Sequence, residues 1–269
     1  VIGLAAGGAR KLVLGMVHLP PLPGTPFHDD GTLGEIVDTA VASAAALRDG
    51  GADGCLVQTV DRVYSVDDDA DPARVAAMSL VVRAVADATG EGFAVGAHML
   101  RNAVRASLAV AKVAGGSFVR VGAIIGQTMT AQGLVAPDPM RIMAYRNQIG
   151  ARDIRVIADI DSMHFRWHGA DRPVGDIARN AVAVGADAVC LGHPDERRTL
   201  DTIEAVRAAT PATPVILAGH TTHENVARLL PHADGAFVGS CLESGGWGGR
   251  IDGEKVKRFV DAVRAVESR

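Results

Sequence analysis

Aromatic residues make up only 4% of this 269-residue chain, which argues against an aromatic-centred β-sandwich and for strands covered by Ala-rich helices. Cysteine is also scarce. Cys55, Cys190 and Cys241 are odd in number and far apart, without the spacing of a disulfide framework or a metal site. Cys55 and Cys190 sit in apolar runs and read as buried, reduced thiols, which fits a reducing, cytoplasmic compartment. Charge of one sign is not in excess: 27 basic against 31 acidic residues give a net −4, so no nucleic-acid footprint is expected. No apolar run approaches the roughly 18 residues of a membrane span. The opening VIGLAAGGARK is too short, and places its charges on the wrong side, for a signal peptide. No linker or low-complexity stretch interrupts the chain, and residues 1–269 read as one domain.

What is present is a repeated strand-then-helix pattern. Short Val/Ile/Leu runs predict buried strands at Lys11–Val17, Asp53–Val57, Phe93–Gly96, Phe118–Val121, Ile154–Ala158, Asp187–Leu191, Pro214–Leu217 and Gly235–Val238. Amphipathic stretches predict helices near Glu35–Arg48, Pro72–Ala88, Ala103–Ala114, Pro139–Gln148, Gly175–Val184, Leu200–Ala208, Glu224–Leu230 and Gly253–Val266. Continuous apolar strands alternating with helices call for a parallel sheet covered on its outer face. Three strands begin alike, with GADGCLV (51–57), GADAVCL (185–191) and HADGAFV (232–238). Eight such units in one domain of this length predict a single α/β domain, a (β/α)8 TIM barrel. The open doubly wound sheet is disfavoured because HLPPLPGTP, not a Gly-rich turn, follows the first strand. Thr32 with Glu35 and Thr221 with Glu224 have capping-box spacing, and Pro72, Pro139 and Pro173 suit first turns.

In such a barrel the strand C-termini form the active face. The residues there are His18, Gln58, His98, Arg120, Asp159 with Asp161, His193, His220 and Ser240. Four of nine histidines at strand ends, with two aspartates on a fifth, mark a functional centre. Acid–base chemistry suits this set, with Asp159 or Asp161 and a histidine dividing the roles. A divalent metal bound by His and Asp is the alternative, although the first strand offers one histidine rather than a His-x-His pair. The sequence requires no cofactor and leaves metal dependence open. Asp159 is expected as principal base or cation stabiliser, with His18 and His193 transferring protons. Gln58, Arg120 and Asn102 are expected to orient substrate hydroxyls, with His98 and His220 also contacting substrate. Gly219, Thr221, Gly239 and Ser240 occupy the loops that commonly seat phosphate in this architecture. Trp167 and Trp247 fall on the same face and offer stacking surfaces for a flat ring. The acidic loop VYSVDDDADP (63–72) reads as a solvated lid or edge, and GQTMTAQGLVAP (126–137) as a second long loop over the substrate.

These residues resemble the BtpA/SgcQ family. The matching stretches are GMVHLPPLPGTP (15–26), GADGCLVQT (51–59), LRN (100–102), FVRV (118–121), TAQG (130–133) and ADGAFVGS (233–240). The resemblance implies a barrel of the ribulose-phosphate-binding type, with members likened to phosphoribosylanthranilate isomerase. One branch is associated with photosystem I biogenesis, another with sugar uptake. His18 and Asp159 are shared with the family pattern. The chain departs from it at ADIDSMHF (158–165), where relatives carry a lysine, at GHPDE (192–196), and at GHTTHEN (219–225), where His220 replaces a small residue. The expected function is therefore an isomerase, lyase or glycosyl-transfer enzyme acting on a sugar phosphate or a ribosyl or nucleoside-like molecule. The alternatives are a non-enzymatic assembly or stability factor and a metal-dependent hydrolase. The expected partner is a small-molecule substrate, with neither nucleic acid nor membrane, and homo-oligomerisation left open.

Overall fold

The computed structural model describes residues 2–267. Eight strands form in the predicted places: β1 Leu12–Leu19, β2 Gly54–Thr59, β3 Ala94–His98, β4 Phe118–Val121, β5 Arg155–Asp161, β6 Ala188–Leu191, β7 Val215–Ala218 and β8 Gly235–Val238. Each pairs in parallel with the next, and β8 returns to β1 to close the barrel. The helices α1 Leu33–Asp49, α2 Pro72–Thr89, α3 Val104–Ala114, α4 Pro139–Gln148, α5 Val174–Ala183, α6 Glu196–Ala209, α7 Val226–Leu229 and α8 Gly253–Glu267 surround it. The predicted single (β/α)8 barrel is the observed fold. No helix among the described residues is long and apolar enough to cross a membrane.

Alternation along each strand divides the apolar residues into two layers. Val13, Val57, Val119, Val156, Val189 and Val215 face outward and pack beneath the helices. Leu14, Met16, Leu56, Phe118, Ile157 and Ile216 face inward and fill the barrel. Gly96 in β3 makes room for that filling, since a Cβ there would collide with the Phe118 ring. We expect Gly96→Ala to cost about 1–3 kcal/mol through overpacking, a fall of roughly 2–10 °C in Tm. Thermal unfolding checks this, and an unchanged Tm would mean that the ring has space to move.

The three similar strand starts share one task. Asp53, Asp187 and Asp234 each accept the first free backbone N–H of the neighbouring strand, from Val13 (2.9 Å), Val156 (2.9 Å) and Val215 (2.7 Å). Each is also held by arginine: Asp53 by Arg10 and Arg264, Asp187 by Arg146 and Arg155, Asp234 by Arg207. The repeated motif thus stitches β1 to β2, β5 to β6 and β7 to β8 at the face opposite the strand C-termini.

Local signals are realised unevenly. Asp71 caps Ala73 N–H ahead of Pro72, and Asp138 caps Arg141 N–H ahead of Pro139. Pro173 stands one place earlier than expected, as the cap of α5. Neither capping box forms. The Thr32 hydroxyl donates to Asp29 O (2.6 Å), and Glu224 pairs with Thr222 rather than Thr221. α7 is four residues long, because Asn225 caps late and a 3-10 turn at Leu230–His232 follows. The loop after β4 contains an antiparallel ribbon, Thr128–Thr130 with Gly133–Val135. Another ribbon, Glu243–Ser244 with Arg250–Ile251, follows β8. The acidic loop is not merely solvated: Arg105 grips Asp68 through its backbone N–H, Nε and Nη2.

Candidate active site

The interior positions at the C-terminal ends of β1 to β5 are polar where the levels below are apolar. Register sets His18 beside Gln58 and Gln58 beside His98, while Arg120 and Asp159 come from the next two strands. Above them lies a cavity of about 650 Å³, whose lining includes His18, Gln58, Arg62, Arg101, Arg120 and His164. A larger void of about 910 Å³ lies at the other end of the barrel, near Arg10 and Asp53, away from these strand ends.

The floor is an ion pair. Arg120 donates to both Asp159 oxygens (2.9 and 2.8 Å), its guanidinium 5.2 Å from the Phe237 ring centroid, and both side chains are at most 3% exposed. Burial opposes the charge on Arg120, but the adjoining carboxylate outweighs it and holds the guanidinium above its ordinary pKa. Ser162 also donates to Asp159. With its oxygens so engaged and no place in the cavity wall, Asp159 is not the free base expected from sequence. It positions Arg120, which does reach the cavity.

His18 faces the cavity and is held by a carboxylate. Its Nδ1 lies 2.8 Å from Glu243 Oε1, and the two side chains are 10% and 1% exposed. The carboxylate accepts from Nδ1, and Nε2 has no hydrogen-bond partner among the described residues. Gly248 N–H donates to the other Glu243 oxygen (2.8 Å), so the carboxylate is fixed from both sides. Trp247 rests against His18 with ring centroids 5.6 Å apart and is itself 64% exposed.

Two further histidines stand opposite. His164 Nδ1 accepts from Arg101 Nη1 (3.0 Å), so its proton lies on Nε2. Its ring meets His98 edge-on at 5.6 Å. His98 donates from Nδ1 to Gln58 Oε1 (2.9 Å), leaving a buried Nε2 with no partner. Burial pushes both pKa values well below the ordinary histidine value, and Arg120 and Arg101 push further. Both rings are neutral at pH 7. The unfolded chain protonates its histidines below about pH 6.5, while the folded one resists, so stability falls on acidification. We expect a loss approaching about 1.4 kcal/mol per pH unit for each histidine below pH 6.5. Urea unfolding at pH 7 and 5 measures it, and His98→Gln should flatten the slope.

The other expected residues divide. His220, in a left-handed conformation (φ 58°), lines the cavity with Gly219, Thr221, Gly239 and Ser240. The short α7 gives this loop no substantial helix N-terminus, but the backbone N–H groups of His220 and Thr221 donate to nothing among the described residues. Asp161 and His193 lie outside the lining, gathered around Arg198 at 3.4 and 3.3 Å. A bulge in β5 causes this: the register shifts between Asp159 and Asp161, so the two aspartates do not share a face as the simple alternation predicts. Asn102 is removed from the substrate set, because its amide both donates to and accepts from the Ala123 backbone (2.9 and 2.8 Å). Trp167 is removed too: its ring packs on Gly126 beneath Arg172, and its N–H donates to Ala170 O (3.1 Å). His98 is 1% exposed and does not line the cavity, lying behind Gln58, to which it is bonded. Cys241 does line it, its thiol pushed up to about 11 by burial and by Glu224. Among the described residues no three His, Cys, Asp or Glu side chains are grouped to hold a metal ion.

Residues missed in sequence are Glu243, His164, Arg101, Tyr64 and Arg62. Arg101 lay inside the quoted LRN stretch, and its guanidinium stands 5.1 Å from the Tyr64 ring centroid. Glu243 follows the quoted ADGAFVGS, where an acid in a Gly-rich loop opposite a strand-end histidine was a usable signal.

Known proteins agree with this architecture. An uncharacterised protein of Archaeoglobus fulgidus is 32% identical over 95% of this chain and 99% of its own length. The photosystem I biogenesis protein BtpA of Synechocystis is 30% identical over 93% of this chain and 87% of its own. Among solved structures, phosphoribosyl anthranilate isomerase from Thermococcus kodakaraensis superposes with a TM-score of 0.55 at 14% identity, covering 94% of this chain and 99% of its own. That likeness concerns the fold. The BtpA family model spans residues 9–265, from just before β1 to the last turns of α8, and the chain belongs to that family.

Proposed function

We propose that this protein is an acid–base enzyme acting on a small phosphorylated sugar or ribosyl compound, by isomerisation, lyase cleavage or glycosyl transfer. The observation that carries the reading is the His18–Glu243 pair, its Nε2 open to a cavity lined by arginines. A histidine fixed in one tautomer by a buried carboxylate is a general base. Arg62, Arg101 and Arg120 make the cavity suited to an anion. The unpaired amides after β7 fit a phosphate oxygen, the seat used by many barrels. His164 would donate its Nε2 proton to a carbonyl or hydroxyl oxygen without first having to lose a charge. The structurally similar isomerase has a phosphoribosyl compound in its name. Among the described residues no His, Cys, Asp and Glu side chains form a grouped metal-ligand set, and the reading assigns no role to a metal.

The test is proton NMR in D2O with ribose 5-phosphate, ribulose 5-phosphate and nucleoside 5′-monophosphates. We expect exchange of a sugar C–H or a new product with at least one of them, abolished in His18→Gln. Binding and turnover of none at millimolar concentration would defeat the reading. The assembly role named for the Synechocystis relative would then be favoured.

A further inference from the structure

The cavity does not end at His18. A second hollow of about 670 Å³ adjoins it, and Met16, His18, Val60, Asp61, Arg62 and Trp247 line both. Its far wall is different in kind: Phe27 and Pro21, with Ile36, Thr39 and Ala40 on one face of α1, stand beside Asp29, Thr32 and Glu35, and Arg62 is its one arginine. Phe27 is 38% exposed and Trp247 64% exposed, two large apolar rings left in water on either side of one hollow. Arg62 lies 4.9 Å from the Phe27 centroid, presenting a flat cation at the junction. Asp61 stands there too. Its Oδ1 accepts its neighbour's N–H, from Arg62 (2.7 Å), while Oδ2 is buried without a partner. A buried carboxylate oxygen lacking a donor is costly; its charge is met from inside the protein by the buried Arg74 guanidinium.

We infer that this second hollow is the seat of a planar nitrogen heterocycle carried by the same phosphorylated molecule, a nucleoside monophosphate in chemical class. The proposal rests on the reading above, which places phosphate and sugar in the arginine-lined cavity, and it adds the ring. Aromatic and guanidinium faces stack on bases of any sequence. Asp61, which lines both hollows, puts a carboxylate at the junction that favours a ring bearing an amino or imino donor over a plain hydrocarbon.

Isothermal titration of the full chain with ribose 5-phosphate and with AMP, GMP, CMP and UMP tests it. At least one nucleotide should bind tenfold or more tightly than ribose 5-phosphate and should quench Trp247 fluorescence more deeply than saturating ribose 5-phosphate does. Thr39 is exposed on α1 and touches only the second hollow. Thr39→Trp should therefore fill it, erasing the nucleotide's advantage while ribose 5-phosphate binds as before. If no nucleotide exceeds ribose 5-phosphate, or if Thr39→Trp leaves the advantage intact, the ring seat is overturned and the phosphosugar reading survives. If neither ribose 5-phosphate nor any nucleotide binds, both fall.

Discussion

Replacing Asp159 with Asn should destabilise the protein by about 3–5 kcal/mol, lowering Tm by roughly 10 °C. The reason is the environment of its partner. Arg120 is 3% exposed and walled by Phe237, so the neutral amide leaves a full charge buried without its counter-ion. A buried pair need not stabilise a fold relative to an apolar substitute, but half of one is costly. The double substitution Arg120→Met with Asp159→Leu should accordingly be more stable than Asp159→Asn alone, while losing ligand binding. Denaturant titration of the variants decides it. If Asp159→Asn unfolds like the unsubstituted protein, the guanidinium has found water or another acceptor, and the description of the floor is wrong.

The second large effect concerns turnover. Glu243→Gln should slow the reaction found in the NMR assay by about 10²–10⁴-fold, the usual worth of a positioned acid or base, with little change in Tm. Glu243 accepts on both oxygens, from His18 Nδ1 and from Gly248 N–H. Glutamine has one oxygen and one NH2 group, so it satisfies only one of these donors. If its oxygen faces Gly248, its NH2 faces Nδ1, and the imidazole must shift its proton to Nε2, which then cannot act as base. If its oxygen faces His18, the NH2 opposes the Gly248 amide and loosens the loop that carries Trp247. His18→Gln should lose at least as much activity. Single-turnover rates with circular dichroism as a folding control separate chemistry from damage, and a Glu243→Gln rate within threefold of the parent would remove the dyad from the mechanism.

The barrel was legible in the sequence because buried parallel strands must be apolar on both faces, and eight such runs recur along the chain. The polar ring was partly legible for the same reason: where an inward position turns from Leu or Ile to His, Gln, Arg or Asp, the strand is reaching the mouth. Pairing was less visible. Arg120 and Asp159 were each picked out, but their mutual contact depends on how β4 and β5 are staggered, which hydrophobic pattern alone does not fix. The bulge that separates Asp159 from Asp161 was hidden, since Ile160 looks like any other strand residue and is 1% exposed. Glu243 and His164 were missed because both lie beyond strand ends, where the path back to the axis is set by tertiary contacts rather than periodicity. Asn102 and Trp167 erred the other way: polar and aromatic loop residues suggested ligand contact, and the protein's own backbone and packing occupy them.

The filled barrel beneath the ion pair has a kinetic consequence. Leu14, Leu56, Phe118 and Ile157 fill the axis, so the pocket is closed from beneath and is reached only from the side of the strand C-termini. On the enzyme reading proposed above, product departs from the same side by which the next substrate arrives. Product should therefore compete directly with substrate, raising apparent KM without lowering maximal velocity.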